Sequence, residues 1–290
     1  MYMNPSYHGL RIPLALLLFL AAFHWPAEAL SAELKPATLS AFQKYVAATE
    51  ARIDNELKTP SSFLYIDGLP EAGRRNAYDV MKRSEVFMER LKTLDQAGHE
   101  LKVPDGLIHH WLGVVFIPGA TLSQLLALVQ DYDRHQYIYK PEVLRSKLVS
   151  RSGNDFKLFY RLRKKKIITV TLNTDHDVRY YPMDATHCHS RSYTTRIQEV
   201  TDADEPTEKQ KPVGQDNGFL WRLNSYWKFE QKDGGIYVEC ESISLTRSIP
   251  LIVSPIIKPF VTEIPKESLE MTMGSTRRVL LEEAESKQAR

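Results

Sequence analysis

Histidine is the residue whose spacing in this chain first suggests chemistry. "DATHCHSR" sets His187 and His189 two apart, so on a strand they share one face with Cys188 on the other, and such a pair can offer two imidazoles to a metal ion. His176, across a turn near Pro182, is the candidate third ligand. No carboxylate or cysteine completes an established metal spacing, and polar residues on an exposed strand face explain the pattern more simply, so no metal is expected. In "LIHHW", His109 and His110 point oppositely on a strand, and at most one of them can face a cavity.

General acid–base work would need a carboxylate or histidine in apolar surroundings, where burial moves its pKa towards neutral. Asp131 and Asp133 close a helix and read as surface residues, while Glu239 and Glu241 read as structural. No Gly-x-Ser-x-Gly elbow, phosphate loop or dinucleotide fingerprint is found, so no catalytic residue is assigned and no cofactor is expected. "RLRKKK", residues 161–166, is the one dense basic run. It would dock anionic headgroups at roughly 1 kcal/mol per basic side chain, but the charge balance elsewhere favours a solvated strand end. With 38 basic and 36 acidic residues the net charge is +2, which argues against a nucleic-acid partner.

The elements that must position these residues follow from periodicity. Residues 31–57 are helical, with Leu39, Phe42, Tyr45 and Val46 at three- and four-residue steps. Residues 75–81 suit a short helix, "EVFMERLKT" leans towards a strand, and "GLIHHWLGVVFIPG" is a strand bounded by Gly and Pro. In "ATLSQLLALVQDYDRH" a capping box, Thr121 with Gln124, opens an amphipathic helix. After Pro141 strands follow one another to residue 201, a polar loop covers 202–217, and two more strands cover 219–231 and 236–246. A Pro-punctuated apolar segment, residues 249–265, precedes a helix from about residue 265 to 283.

The last two strands meet at Asp233-Gly234, which suits a two-residue type I′ turn. That turn sets Lys232 opposite Gly235, Lys228 opposite Glu239 and Trp227 opposite Cys240. One face then carries Trp221, Leu223, Ser225, Trp227 and Phe229 with Val238, Cys240, Ser242 and Ser244; the other carries Arg222, Asn224, Lys228 and Glu230. The first face is either an ordinary core or the wall of a cavity, apolar with hydroxyls to orient a ligand. Cys188 and Cys240 fall on strands separated by a third, about 9.6 Å apart, beyond the roughly 7 Å a disulfide allows, so two free thiols are expected.

One strand, a helix, about six antiparallel strands and a long terminal helix make an α+β plan, with about seven strands in a strongly curved sheet. On "FIPGATLSQLLALVQDYDRHQYIYKPEV", "YWKFEQKDGGIYVECESISLTRSIP" and "IPKESLEMTMGSTRR" the chain resembles the START-like helix-grip superfamily, also called SRPBCC. That superfamily contains START lipid-binding domains, the birch-pollen-allergen class and proteins labelled polyketide cyclase. The resemblance spans residues 107–281 and implies a deep apolar pocket between sheet and terminal helix, for lipid, sterol or polyketide-like ligands.

The expected organisation is a signal peptide over 1–29, an N-terminal helical extension over 30–60, a lead-in region over 61–106 and a helix-grip domain over 107–285. Arg11, the apolar run 12–23 and Ala27-Glu28-Ala29 predict cleavage after Ala29 and a periplasmic or secreted product. The expected function is binding of a lipid or other hydrophobic small molecule, lined by Trp221, Leu223, Ser225, Trp227, Phe229, Ser242, Leu269 and Met273. Residues 250–261 would supply a lid or a transient membrane contact. The alternatives are a cyclase- or aromatase-like enzyme on the same scaffold, and a structural envelope protein that docks through its 31–57 helix.

Overall fold

The computed structural model describes residues 32–95, 97–166, 168–248 and 254–288, without the side chains of residues 60, 254–262, 285, 287 and 288. The expected signal peptide lies outside the described residues, as do residues 249–253 and the side chains of the expected lid up to residue 261. The chain enters through a short strand, β1 (Ala32–Glu33), and a long helix, α1 (Pro36–Leu57), opened by proline in its first turn. Helix α2 (Glu71–Lys82) and the short edge strand β2 (Phe87–Arg90) lead to β3 (Gly106–Pro118). Helices α3 (Leu122–Val129) and α4 (His135–Ile138) follow, and the expected Thr121–Gln124 capping box opens α3.

Four strands run next, β4 (Val143–Ser152), β5 (Asp155–Lys165), β6 (Thr169–Pro182) and β7 (His187–Thr201). Two short pieces, β8 (Lys209–Gln210) and β9 (Gln215–Asp216), interrupt the polar loop, and β9 pairs with β1 in a small separate sheet. The hairpin β10 (Arg222–Lys232) and β11 (Gly235–Arg247) and the helix α5 (Ser254–Gln288) complete the fold.

The main sheet is antiparallel in the order β2-β3-β11-β10-β7-β6-β5-β4, with β8 added against β7. Its concave face holds α3, α4 and α5, and its convex face is covered by α1 and α2. This is the helix-grip arrangement, with the expected seven long strands and β2 as an added edge. The β10–β11 register is the expected one, Lys232 on Gly235, Lys228 on Glu239 and Trp227 on Cys240. Asp233 and Gly234 both take left-handed backbone, at φ 55° and 72°, as a type I′ turn requires. Strand β10 lies between β7 and β11, and Cys188 and Cys240 are both buried free thiols, as expected.

One element differs from expectation. Helix α5 begins at Ser254, about ten residues earlier than expected. Pro255 falls in the first turn, where its missing N–H costs no bond, and Pro259 and Pro265 are carried within the helix at the loss of one intrahelical bond each. Helix α1 lies flat on the convex face, where Phe42, Tyr45 and Ile53 are buried against Tyr226, Ile243 and Leu245. Among the described residues no helix is long and apolar enough to cross a membrane.

Candidate functional site

A cavity of about 310 Å³ lies between the concave face and α5. Strand alternation supplies its floor. From β10, Leu223, Ser225, Trp227 and Phe229 face it, and from β11 Cys240, Ser242 and Ser244 do. Register continues this face across β7, because Ser192 lies beside Ser225 and Ser190 beside Trp227. Leu158, Val170, Leu172 and Val178 of β5 and β6 form an apolar side wall, and Leu269, Met271 and Thr272 of α5 close the top.

Of the expected lining, Leu223, Ser225, Trp227, Phe229, Ser242 and Leu269 line the cavity. Trp221 does not. It stands one residue before β10 begins, after the left-handed turn at Gly218 (φ 71°), so the strand alternation does not reach it. Its ring is buried in the convex cluster with Phe42 and Tyr45, and its indole Nε1 donates to Asp216 Oδ1 at 3.0 Å. Met273 is also outside the lining: it packs over Gly113 of β3, where a Cβ would meet its Cγ at 3.2 Å. That close approach sets the rotation of α5 and turns the neighbouring Met271 and Thr272 to the cavity.

The structure does not bring the three histidines together. Register pairs Tyr181 with His189, which puts the odd-numbered positions of β6, and those of β7 as far as Tyr193, on the convex face and His176 on the concave one; a bulge beside His176 reverses the alternation of β7 beyond it. His187 interacts with Asp184 and Glu230 on the convex side, and His189 stacks on Tyr181 with ring centroids 4.6 Å apart. Among the described residues no group of three or more His, Cys, Asp or Glu could hold a metal ion.

Several cavity residues escaped the sequence reading. His176 lines the cavity and bonds Thr174 Oγ1 through Nε2 at 3.0 Å. His135, at the start of α4, meets Tyr160 Oη through Nδ1 at 2.8 Å, and the Tyr132 and Tyr180 hydroxyls lie 2.9 Å apart. Burial pushes both imidazoles down to about 4, so they are neutral at pH 7. Burial likewise raises Tyr160 and Tyr180 well above the ordinary phenol range. The signal for Ser190 and Ser192 was within reach: the alternation that puts Cys188 opposite in face to His187 and His189 runs on through both serines. His135 carried no such signal, because it sits in a one-turn helix whose facing only tertiary packing decides.

Charge is confined to Glu142, Arg163 and Lys164 within the lining. Lys164 pairs with Glu142 and Arg163 with Asp204. The basic run is thus largely matched by acids, since Arg161 also meets Glu208 at 2.6 Å and Lys166 meets Glu267 at 2.7 Å. The cavity can hold an apolar body and hydrogen-bond its oxygens, and it offers no buried unpaired charge among the described residues.

No family model and no curated protein matches the chain. Its neighbours among solved structures include START lipid-transfer and aromatase/cyclase proteins. It is similar to a STAR-related lipid transfer protein of Xanthomonas axonopodis, at 13% identity over 67% of this chain and 98% of that one, with a TM-score of 0.42. A START superfamily protein from Mycobacterium smegmatis is similar at 11% identity over 59% of this chain and 98% of that one, with a TM-score of 0.36. The Zhui aromatase/cyclase of Streptomyces sp. R1128 is similar at 9% identity over 60% of this chain and 94% of that one, with a TM-score of 0.35.

Proposed function

We propose that the protein binds a hydrophobic small molecule or lipid in the cavity between the concave sheet face and α5. The carrying observation is the cavity itself, about 310 Å³ and walled mainly by apolar side chains with a few convergent hydroxyls. Sites for small organic molecules occupy roughly 300–1,000 Å³ and have this composition. Affinity comes from apolar area removed from water, at about 25 cal/mol per Å². Catalysis draws less support: a neutral imidazole whose conjugate acid ionises at about 4 is a weak base at pH 7, and the lining's one carboxylate, Glu142, is already paired with Lys164.

The test is native and denaturing mass spectrometry of the purified protein beside an organic extract of the same sample. A near-stoichiometric hydrophobic molecule, released on denaturation, is the expected result. A protein that stays empty and binds no apolar probe would overturn the reading. Export is part of the same proposal and rests on the pattern of residues 11–29. The recovered protein should begin at residue 30 and partition with exported proteins, and an intact residue 1 on the bulk of it would refute this.

A further inference from the structure

Five serines face the cavity from three adjacent strands: Ser190 and Ser192 on β7, Ser225 on β10, Ser242 and Ser244 on β11. The register sets Ser192, Ser225 and Ser242 side by side. Adjacent strands lie about 4.8 Å apart, and Ser190 and Ser244 follow one pleat away, at about 6.8 Å along the strand. Ser190 and Ser244 are only 2% and 3% exposed, and Ser244 Oγ is buried without a hydrogen-bond partner. None of the five hydroxyls bonds another side chain or the backbone among the described residues.

Alanine would fill these positions with the same shape and without the cost of burying an unpaired hydroxyl. Across the cavity Leu158, Leu172, Val178 and Leu269 present apolar surface, and the polar groups set among them, His135 with Tyr160, His176 with Thr174 and Tyr132 with Tyr180, already have hydrogen-bond partners. A charged ligand would find no free counter-ion inside, because Arg163 and Lys164 are already paired and both imidazoles are neutral.

We propose that this serine row is a recognition wall, and that the cavity takes an uncharged ligand with two or more hydroxyl or carbonyl oxygens along one edge and hydrocarbon along the other. The inference rests on the binding function proposed above and narrows its ligand class. Each serine hydroxyl both donates and accepts, so it matches either kind of oxygen. A hydrocarbon of the same size would leave the row unpaired, and an anion would lose its hydration without compensation.

Three probes on one skeleton separate these cases: naphthalene, 2,7-dihydroxynaphthalene and naphthalene-2-carboxylate, titrated into the full protein by calorimetry or fluorescence. At about fivefold per hydrogen bond, the diol should bind at least tenfold tighter than naphthalene. The carboxylate should bind most weakly. In a Ser192→Ala, Ser225→Ala, Ser242→Ala protein the diol should fall to the affinity of naphthalene, while naphthalene itself binds as well or better, which also shows that the protein has folded. Should the triple variant not fold, Ser225→Ala alone should reduce the diol preference by about fivefold. Equal binding of diol and naphthalene by the natural protein, or a preference that survives the serine changes, would overturn the inference and leave the cavity reading standing. Failure to bind any of the three, naphthalene included, would remove both.

Discussion

The two faces of the β10–β11 hairpin solve the same burial problem in opposite ways. On the convex face Lys228 is 2% exposed, yet its Nζ lies 2.6 Å from Glu56 and 3.1 Å from Glu239. Beside it Glu241 accepts from His110 Nε2 at 2.6 Å and from Arg52, and Arg52 reaches back to Glu56 at 2.6 Å. Helix α1 supplies Arg52 and Glu56, so each buried charge meets an opposite one within the chain. One residue along each strand, the concave face carries no charge on these strands and, among the described residues, leaves its serine hydroxyls without partners. The convex face is thus finished by ion pairs within the chain, and the concave face, unfinished among the described residues, is the one proposed above to take a ligand.

Breaking the finished face should cost most. Burial alone would lower the Lys228 ammonium, but Glu239 and Glu56 outweigh it and raise its pKa. Lys228→Met leaves Glu239 buried and uncompensated, and loss of one partner of a buried pair costs about 3–5 kcal/mol. Urea denaturation of wild type and variant measures it. A loss below about 1 kcal/mol would mean that α1 releases Glu56 to water and that the convex network is only loosely held.

Acid should reach the His176 imidazole of the concave face before the Glu241 carboxylate of the convex one. Burial is the larger influence on His176, and Asp175 and Asp177 beside it on β6 do not offset the fall to about 4. The unfolded imidazole titrates near 6.5. Between those values the folded chain holds fewer protons, so stability present above about pH 6.5 is lost as the pH falls to about 4, at up to about 1.4 kcal/mol per unit. Glu241 behaves otherwise: burial would raise it, but the His110 hydrogen bond and Arg52 hold it at about 2. Its contribution survives down to about pH 4.5 and fades towards 2. Burial pushes Glu199 up to about 7, and it contributes the opposite slope between 7 and 4.5. The reading is therefore the difference between wild type and His176→Gln in urea midpoints from pH 7 to 4. The variant should lose part of the acid slope, and parallel curves would place that imidazole in contact with solvent.

The same contrast decides what could be seen before the structure. The hairpin register was legible because Asp233-Gly234 admits few turns and side-chain direction then follows by twos. The free thiols were legible for the same reason, through strand order. Local rules failed where a long-range contact sets the direction. Trp221 turns outward at the start of β10, and Met273 is turned by the close approach to Gly113 on a strand 160 residues earlier in the chain. The convex network was half legible: Glu239 opposite Lys228 could be read, whereas Arg52 and Glu56 reach it only once α1 lies on the sheet. His176 in the cavity needed the register between β6 and β7, and the four residues between those strands leave that open.

Removing a large side chain from the unfinished face should separate stability from binding. Trp227 is half-buried, lines the cavity and lies over Phe229 with ring centroids 6.1 Å apart. A Trp→Ala change in a closed core costs about 3–5 kcal/mol, but here the space opens into an existing cavity, so about 2 kcal/mol is expected. Affinity for an apolar probe such as naphthalene should fall at least tenfold. Full retention of binding would move the ligand away from β10.

The smallest effect should be the one both faces share. Gly234 has φ 72° and nothing within 4 Å of where a Cβ would stand, so Gly234→Ala adds no clash and only places an L-residue in left-handed backbone. That costs about 1–2 kcal/mol. Because the turn joins β10 to β11 without belonging to either face, the change should lower the urea midpoint while leaving both the acid slope and naphthalene affinity as they were. If affinity falls with stability, the hairpin slips when its turn is strained, and the two faces share one register more tightly than their separate chemistry requires.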